Sequence, residues 1–168
     1  NINYFPEISH SIVRSEKVFK DISAVAIPVL QEEKLSVKKT DLVKLLTAHT
    51  HIDLSIELAN WPEFTAKAGE IIEIPLKIDD LNRIYLVGIG TATDEDIRKA
   101  SSVLGRKVKA SDATVLTAIV EDKKQIEISV MALALANYQF TFKSEKKSKK
   151  PQFVIYGDFK DQIERANI

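Results

Sequence analysis

The sequence predicts an α/β fold in three layers, with helices on both faces of a mixed, mostly parallel sheet. Three observations carry that expectation. Arg83 to Val108, RIYLVGIGTATDEDIRKASSVLGRKV, reads as strand, glycine turn and helix, which is half of a βαβ unit. Short apolar runs alternate with helix-period runs along the chain, the pattern of layered α/β domains. Of 168 residues, 45% are hydrophobic, enough to build a real core within one domain spanning 1–168.

The Arg83 to Val108 stretch is the organising unit. Ile84, Tyr85, Leu86 and Val87 carry no charge and are closed by glycine, which suits a strand buried on both faces. Gly88-Ile89-Gly90 then makes a turn where side chains would obstruct the backbone. Thr93 is placed to cap a helix, and Asp94, Glu95 and Asp96 fill its first turn, where the helix dipole favours negative charge. Ile97, Ala100, Leu104 and Val108 form one apolar stripe for the sheet.

The remaining elements follow in order. Asn1 to Pro6 reads as an irregular lead-in and Ser11 to Phe19 as a first strand. Ala24 to Leu30, AVAIPVL, is a buried strand, and its Pro28 belongs near the strand end or facing an edge, since proline lacks a ladder donor. Thr40 caps a short helix with Leu42, Val43, Leu45 and Leu46 on its apolar side. His49 to Asp53 breaks that pattern, Leu54 to Leu58 is a short helix or strand, and Trp61-Pro62 marks a turn. Glu70 to Leu76 alternates as a strand, and Asp79 to Asn82 turns the chain into the central strand. Ala113 to Val120 is another buried strand. Ile126 to Asn137 is apolar nearly all round, a helix covered on more than one side. Tyr138, Phe140 and Phe142 alternate after it, then come a charged loop, a last strand at Phe153 to Tyr156 and a last helix at Asp158 to Ala166. The early strands are expected to add an antiparallel edge. No internal repeat and no linker interrupts the chain.

Composition removes several function classes. Lys plus Arg and Asp plus Glu each total 24, so the formal net charge is zero, unlike the strong basic excess of a dedicated nucleic-acid binder. The absence of cysteine excludes disulfides and thiolate metal sites. No apolar run reaches membrane-spanning length and the start lacks a signal pattern, so the expectation is a cytoplasmic domain without membrane contact.

No constellation for catalysis stands out. Gly88-Ile89-Gly90 before a helix suggests a phosphate cradle, but the third glycine of a dinucleotide fingerprint is replaced by Thr93, and three acids follow; a tight turn is the favoured reading. His49 and His51, with Asp53, would share one face of a strand and offer part of a metal site, but they lack a second ligand pair and read as polar loop residues. His10 is isolated. No serine has a nucleophile setting, and Asp79-Asp80 and Asp94 to Asp96 sit where turns and helix starts want acids. Lys143, Lys146, Lys147, Lys149 and Lys150 form the one charge run, a polyanion contact or a solvated loop, the loop being favoured. Trp61 and Phe64 read as core ahead of interface anchors, and excess apolar surface on the Ile126 to Asn137 helix as core ahead of a subunit or domain contact. No catalytic, cofactor-binding or metal-ligating residue is assigned.

Several segments, spanning about Ala24 to the C-terminus, resemble the N-terminal domain of the leucyl (cytosol) aminopeptidases, a family of two-metal exopeptidases. AVAIPVL is similar to its early strand, and WPEFTAKAGEIIEIPL to the segment where a phenylalanine precedes Gly-Glu and a strand. RIYLVGIG with DEDIRKASSVLGRKVK is similar to its strand, Val-Gly-x-Gly turn and helix. ISVMALALANYQFTFKSEKKSKKP resembles its helix ending in Tyr-x-Phe and a lysine-rich loop. The resemblance implies a macro-domain-like fold and a non-catalytic assembly role beside a C-terminal peptidase domain, in a hexameric parent that removes N-terminal residues with two divalent metals, Zn or Mn. The parent's metal ligands belong to a motif of the type Asn-Thr-Asp-Ala-Glu-Gly-Arg, which does not occur in this sequence. Some bacterial relatives also bind DNA. The alternative is a stand-alone module taking ADP-ribose or a related nucleotide beside Gly88 to Thr93, on fold analogy.

Overall fold

The computed structural model describes residues 5–138 and 149–166. Its elements are β1 (Glu7–Ser11), β2 (Ala24–Val29), α1 (Asp41–Thr50), α2 (Leu54–Ala59), β3 (Ile71–Ile78), β4 (Leu81–Gly88), α3 (Asp94–Lys107), β5 (Thr114–Thr117), α4 (Lys123–Ala136), β6 (Gln152–Tyr156) and α5 (Lys160–Ala166). The sheet has six strands in the order β1-β6-β5-β2-β4-β3. Every neighbouring pair is parallel except the β3–β4 hairpin. This is the mixed, mostly parallel α/β sheet that the sequence predicts.

Strand pleating divides the core in two, because successive side chains point to opposite faces. Val25, Ile27 and Val29 of β2, with Ile84 and Leu86 of β4 and Leu116 of β5, pack with Leu42, Val43 and Leu46 of α1 and Leu54 and Leu58 of α2. Ala24 and Ala26, with Tyr85, Val87, Val115, Phe153 and Ile155, pack with Ile97, Ala100 and Leu104 of α3 and Ile126, Val130 and Leu133 of α4. Helices therefore cover both faces. The small residues Ala24 and Ala26 lie on the side that carries Tyr85 and Phe153, so bulk and gaps alternate across the central strands.

Several local expectations hold in detail. The Thr93 hydroxyl accepts from the Asp96 N–H at 3.1 Å, and the Thr40 hydroxyl from the Val43 N–H at 3.3 Å, so both threonines cap the helices they precede. Leu54 to Leu58, readable as helix or strand, is helical because the Asp53 carboxylate caps Ser55 and Ile56. The hairpin turn puts Asp79 in the left-handed region at φ 53°. Phe64 is core, whereas Trp61 is 44% exposed.

Others are corrected. Ser11 to Phe19 is not a strand: β1 ends at Ser11, and Glu16–Phe19 is a 3-10 turn that buries Val18 and Phe19. The early strand does not make the antiparallel edge, because β1 runs parallel to β6. That edge is β3, whose two-residue turn into β4 leaves no room for a crossover. β5 is only four residues long, shorter than the apolar run Ala113 to Val120.

Pro28 explains that shortening. The Ala118 N–H donates to the Ala26 carbonyl at 3.0 Å, so the even-numbered residues of β2 turn their backbone groups toward β5. The next such residue is Pro28, which has no N–H to continue the ladder. On the other side β2 stays paired with β4 as far as Val29 and Gly88.

Candidate functional site

The carboxyl end of the sheet is where the topology opens a crevice. β2 leads into α1 on one face, while the adjacent β5 leads into α4 on the opposite face. Two cavities lie at this divergence, of about 260 and 370 Å³, sharing Pro28, Lys38, Val120 and Glu121. The Lys38 ammonium stands 3.5 Å from the Glu121 carboxylate at their common mouth. Ile27, Leu42, Val43, Ala118, Val120 and Phe159 make the first cavity mainly apolar. Tyr156 also lines it, and its hydroxyl is buried without a hydrogen-bond partner.

The glycine turn faces a different task. Its N–H groups are all engaged: Gly88 with the Glu70 carbonyl at 2.7 Å, Ile89 with Val29 at 3.0 Å, Gly90 with Ala66 at 2.9 Å, and Ala92 with Ile89 at 3.0 Å. The Thr91 N–H donates to the Asp96 carboxylate at 2.9 Å. An acid of the chain's own helix thus occupies the position an anionic ligand would take. Gly90 needs to be glycine, because φ is +57° and a Cβ would meet that carboxylate at 2.5 Å. Asp94 accepts from the Gln125 amide at 3.1 Å, and Glu95 pairs with Arg98 at 2.6 Å, so the acids serve the turn and the helix as expected.

The histidines separate. His49 is on α1, where its ring stacks on Phe19 at 5.0 Å and its Nδ1 meets Glu16 at 3.1 Å. His51 ends that helix in the left-handed region at φ 57°, and Asp53 faces the next helix as its cap. His10 contacts the Gly157 carbonyl through Nδ1 at 3.1 Å. Among the described residues, no three His, Asp or Glu side chains are grouped to hold a metal ion. The described residues therefore offer no grouped ligands that fit a two-metal centre. Of the lysine run, Lys143, Lys146 and Lys147 lie outside the described residues, and Lys149 and Lys150 precede β6.

One further surface stands out. On α4, Met131 is 44% and Leu135 59% exposed, and Tyr138 follows at 37%. Met131 and Leu135, with Ile128, Ala132 and Ala136, floor a groove against α3, flanked by Arg98 and Arg106.

The fold and these surfaces can be set against known proteins. A family model described as the cytosol aminopeptidase family, N-terminal domain, matches residues 26–146. The chain belongs to that family. No curated protein sequence matches it. Among solved structures, a mutant of tomato leucine aminopeptidase is similar over 99% of this chain and 36% of its own, with TM-score 0.67 and 18% identity. The bottromycin maturation enzyme BotP in complex with Mn is similar over 86% of this chain and 29% of its own, with TM-score 0.58 and 15% identity. The chain thus spans about a third of the length of these two structures. At those identities the likeness is one of fold.

The crevice residues Lys38, Glu121 and Tyr156 were not singled out by sequence reasoning. Each is an ordinary loop or strand-end residue, and only the divergence of β2 and β5 brings them together. The available signal was positional: all three lie where a strand's carboxyl end meets a helix start or a turn.

Proposed function

We propose that this chain is the non-catalytic assembly domain of a cytosolic leucyl aminopeptidase. The parent would remove N-terminal residues from peptides with two divalent metals held by a separate peptidase domain. The family match over residues 26–146 carries this reading. One feature of the chain supports it. The α3–α4 groove, with exposed Met131 and Leu135, has the apolar character of a contact surface toward the peptidase domain or another subunit of a hexamer.

The test is a peptidase assay on the purified 168-residue chain with leucine p-nitroanilide and added Mn²⁺ or Zn²⁺. The expected result is no turnover above buffer. Metal-dependent turnover that co-purifies with the chain overturns the reading.

A further inference from the structure

The crevice between β2 and β5 has the position at which open α/β sheets take ligands, outside the carboxyl ends of two adjacent strands whose connections leave for opposite faces. Its chemistry narrows the ligand. The first cavity, at about 260 Å³, falls below the roughly 300–1,000 Å³ of pockets for drug-sized molecules, so it suits a small occupant. Its wall is aliphatic, from Ile27, Leu42, Val43 and Val120. Its lining carries three charged residues: Asp41, which faces Arg14 at 3.8 Å, and Lys38 and Glu121, paired at the mouth with side chains 75% and 64% exposed. So exposed a pair contributes little to stability and opens readily. The Tyr156 hydroxyl, buried and unpaired, lacks the partner that such groups ordinarily have.

We propose that this crevice binds a free α-amino acid with an aliphatic side chain. The side chain fills the apolar cavity beside Tyr156, the carboxylate takes Lys38 and the ammonium takes Glu121. The occupant matches the class of product an aminopeptidase releases, so the crevice would sense product at a distance from the chemistry. That last link rests on the function proposed above; the binding itself does not.

Calorimetric and NMR titration of the 168-residue chain with L-leucine tests it. The expected result is saturable binding, with shifts centred on Ala118 and Tyr156. Lys38→Ala and Glu121→Ala should each weaken binding at least about tenfold, with each variant folded as judged by its own NMR spectrum. Leucinamide and 4-methylpentanoate, each lacking one charge, should bind at least about tenfold more weakly. Absence of saturable binding, equal binding of leucinamide (which would indicate recognition of a peptide's N-terminal residue), or full affinity in Lys38→Ala overturns the proposal. None of these readouts involves peptidase activity, so a negative result removes the ligand and leaves the domain's assembly role standing.

Discussion

The Asn137 side-chain amide donates to the Gly105 carbonyl at 3.0 Å, fastening the end of α4 to the last turn of α3. The same amide reaches the Leu133 carbonyl at 3.0 Å, and Asn137 is completely buried. The helices approach this closely because small residues line the contact: Gly105 faces Ala136, and the Ser101 and Ser129 hydroxyls meet at 2.7 Å.

Gly105→Ala is therefore destabilising, although alanine is the better helix former. A Cβ at that position would lie 2.9 Å from the Ala136 Cβ and 3.0 Å from the Asn137 amide nitrogen. Overpacking costs roughly 1–3 kcal/mol, against about 1 kcal/mol gained in helix propensity. Urea denaturation should show a lower midpoint at unchanged slope.

Thr93→Ala should cost about 1 kcal/mol, the usual loss for an N-cap hydroxyl. The Asp96 N–H would lose its acceptor, while the Thr91 N–H keeps the Asp96 carboxylate. Thr93→Ser should recover most of the loss, and chemical denaturation of the three proteins checks both statements.

Tyr85 makes stability sensitive to alkali. Its phenol is raised from the ordinary value of 10.0, first by burial and then by the Glu73 carboxylate, with Arg83 acting in the opposite direction. The folded state thus holds its proton to higher pH than the unfolded chain. Its contribution is complete below pH 10 and is lost as pH rises through the raised folded value. Tyr85→Phe should flatten that part of the decline, which denaturation at successive pH values above and below 10 would reveal.

Met131→Glu and Leu135→Glu should leave the chain's stability nearly unchanged, within about 0.5 kcal/mol, because both residues are surface-exposed, at 44% and 59%. In the assembling parent enzyme proposed above, the pair should weaken assembly, seen as smaller species in sedimentation velocity. An unaltered sedimentation profile would place the contact surface elsewhere.

The local grammar of this fold was legible where a residue acts on its neighbours in sequence. Thr40, Thr93 and Asp53 face helix starts and cap them, and Ile84 to Val87 form a strand buried on both faces. What escaped depended on distant partners. β1 finds its place only by pairing with β6, and nothing near Glu7 encodes direction relative to Gln152. Val18 and Phe19 looked like strand residues because they are apolar, yet they enter the core from a 3-10 turn. The crevice was illegible for the same reason: Lys38 and Glu121 lie 83 positions apart, and only the folded sheet sets them face to face.

Pro28 gives that crevice an origin in covalent structure. A five-membered ring on one backbone nitrogen removes the donor that would continue the β2–β5 ladder, and that same residue lines both cavities. Valine at this place would restore the missing donor and let the seam close toward Ala118.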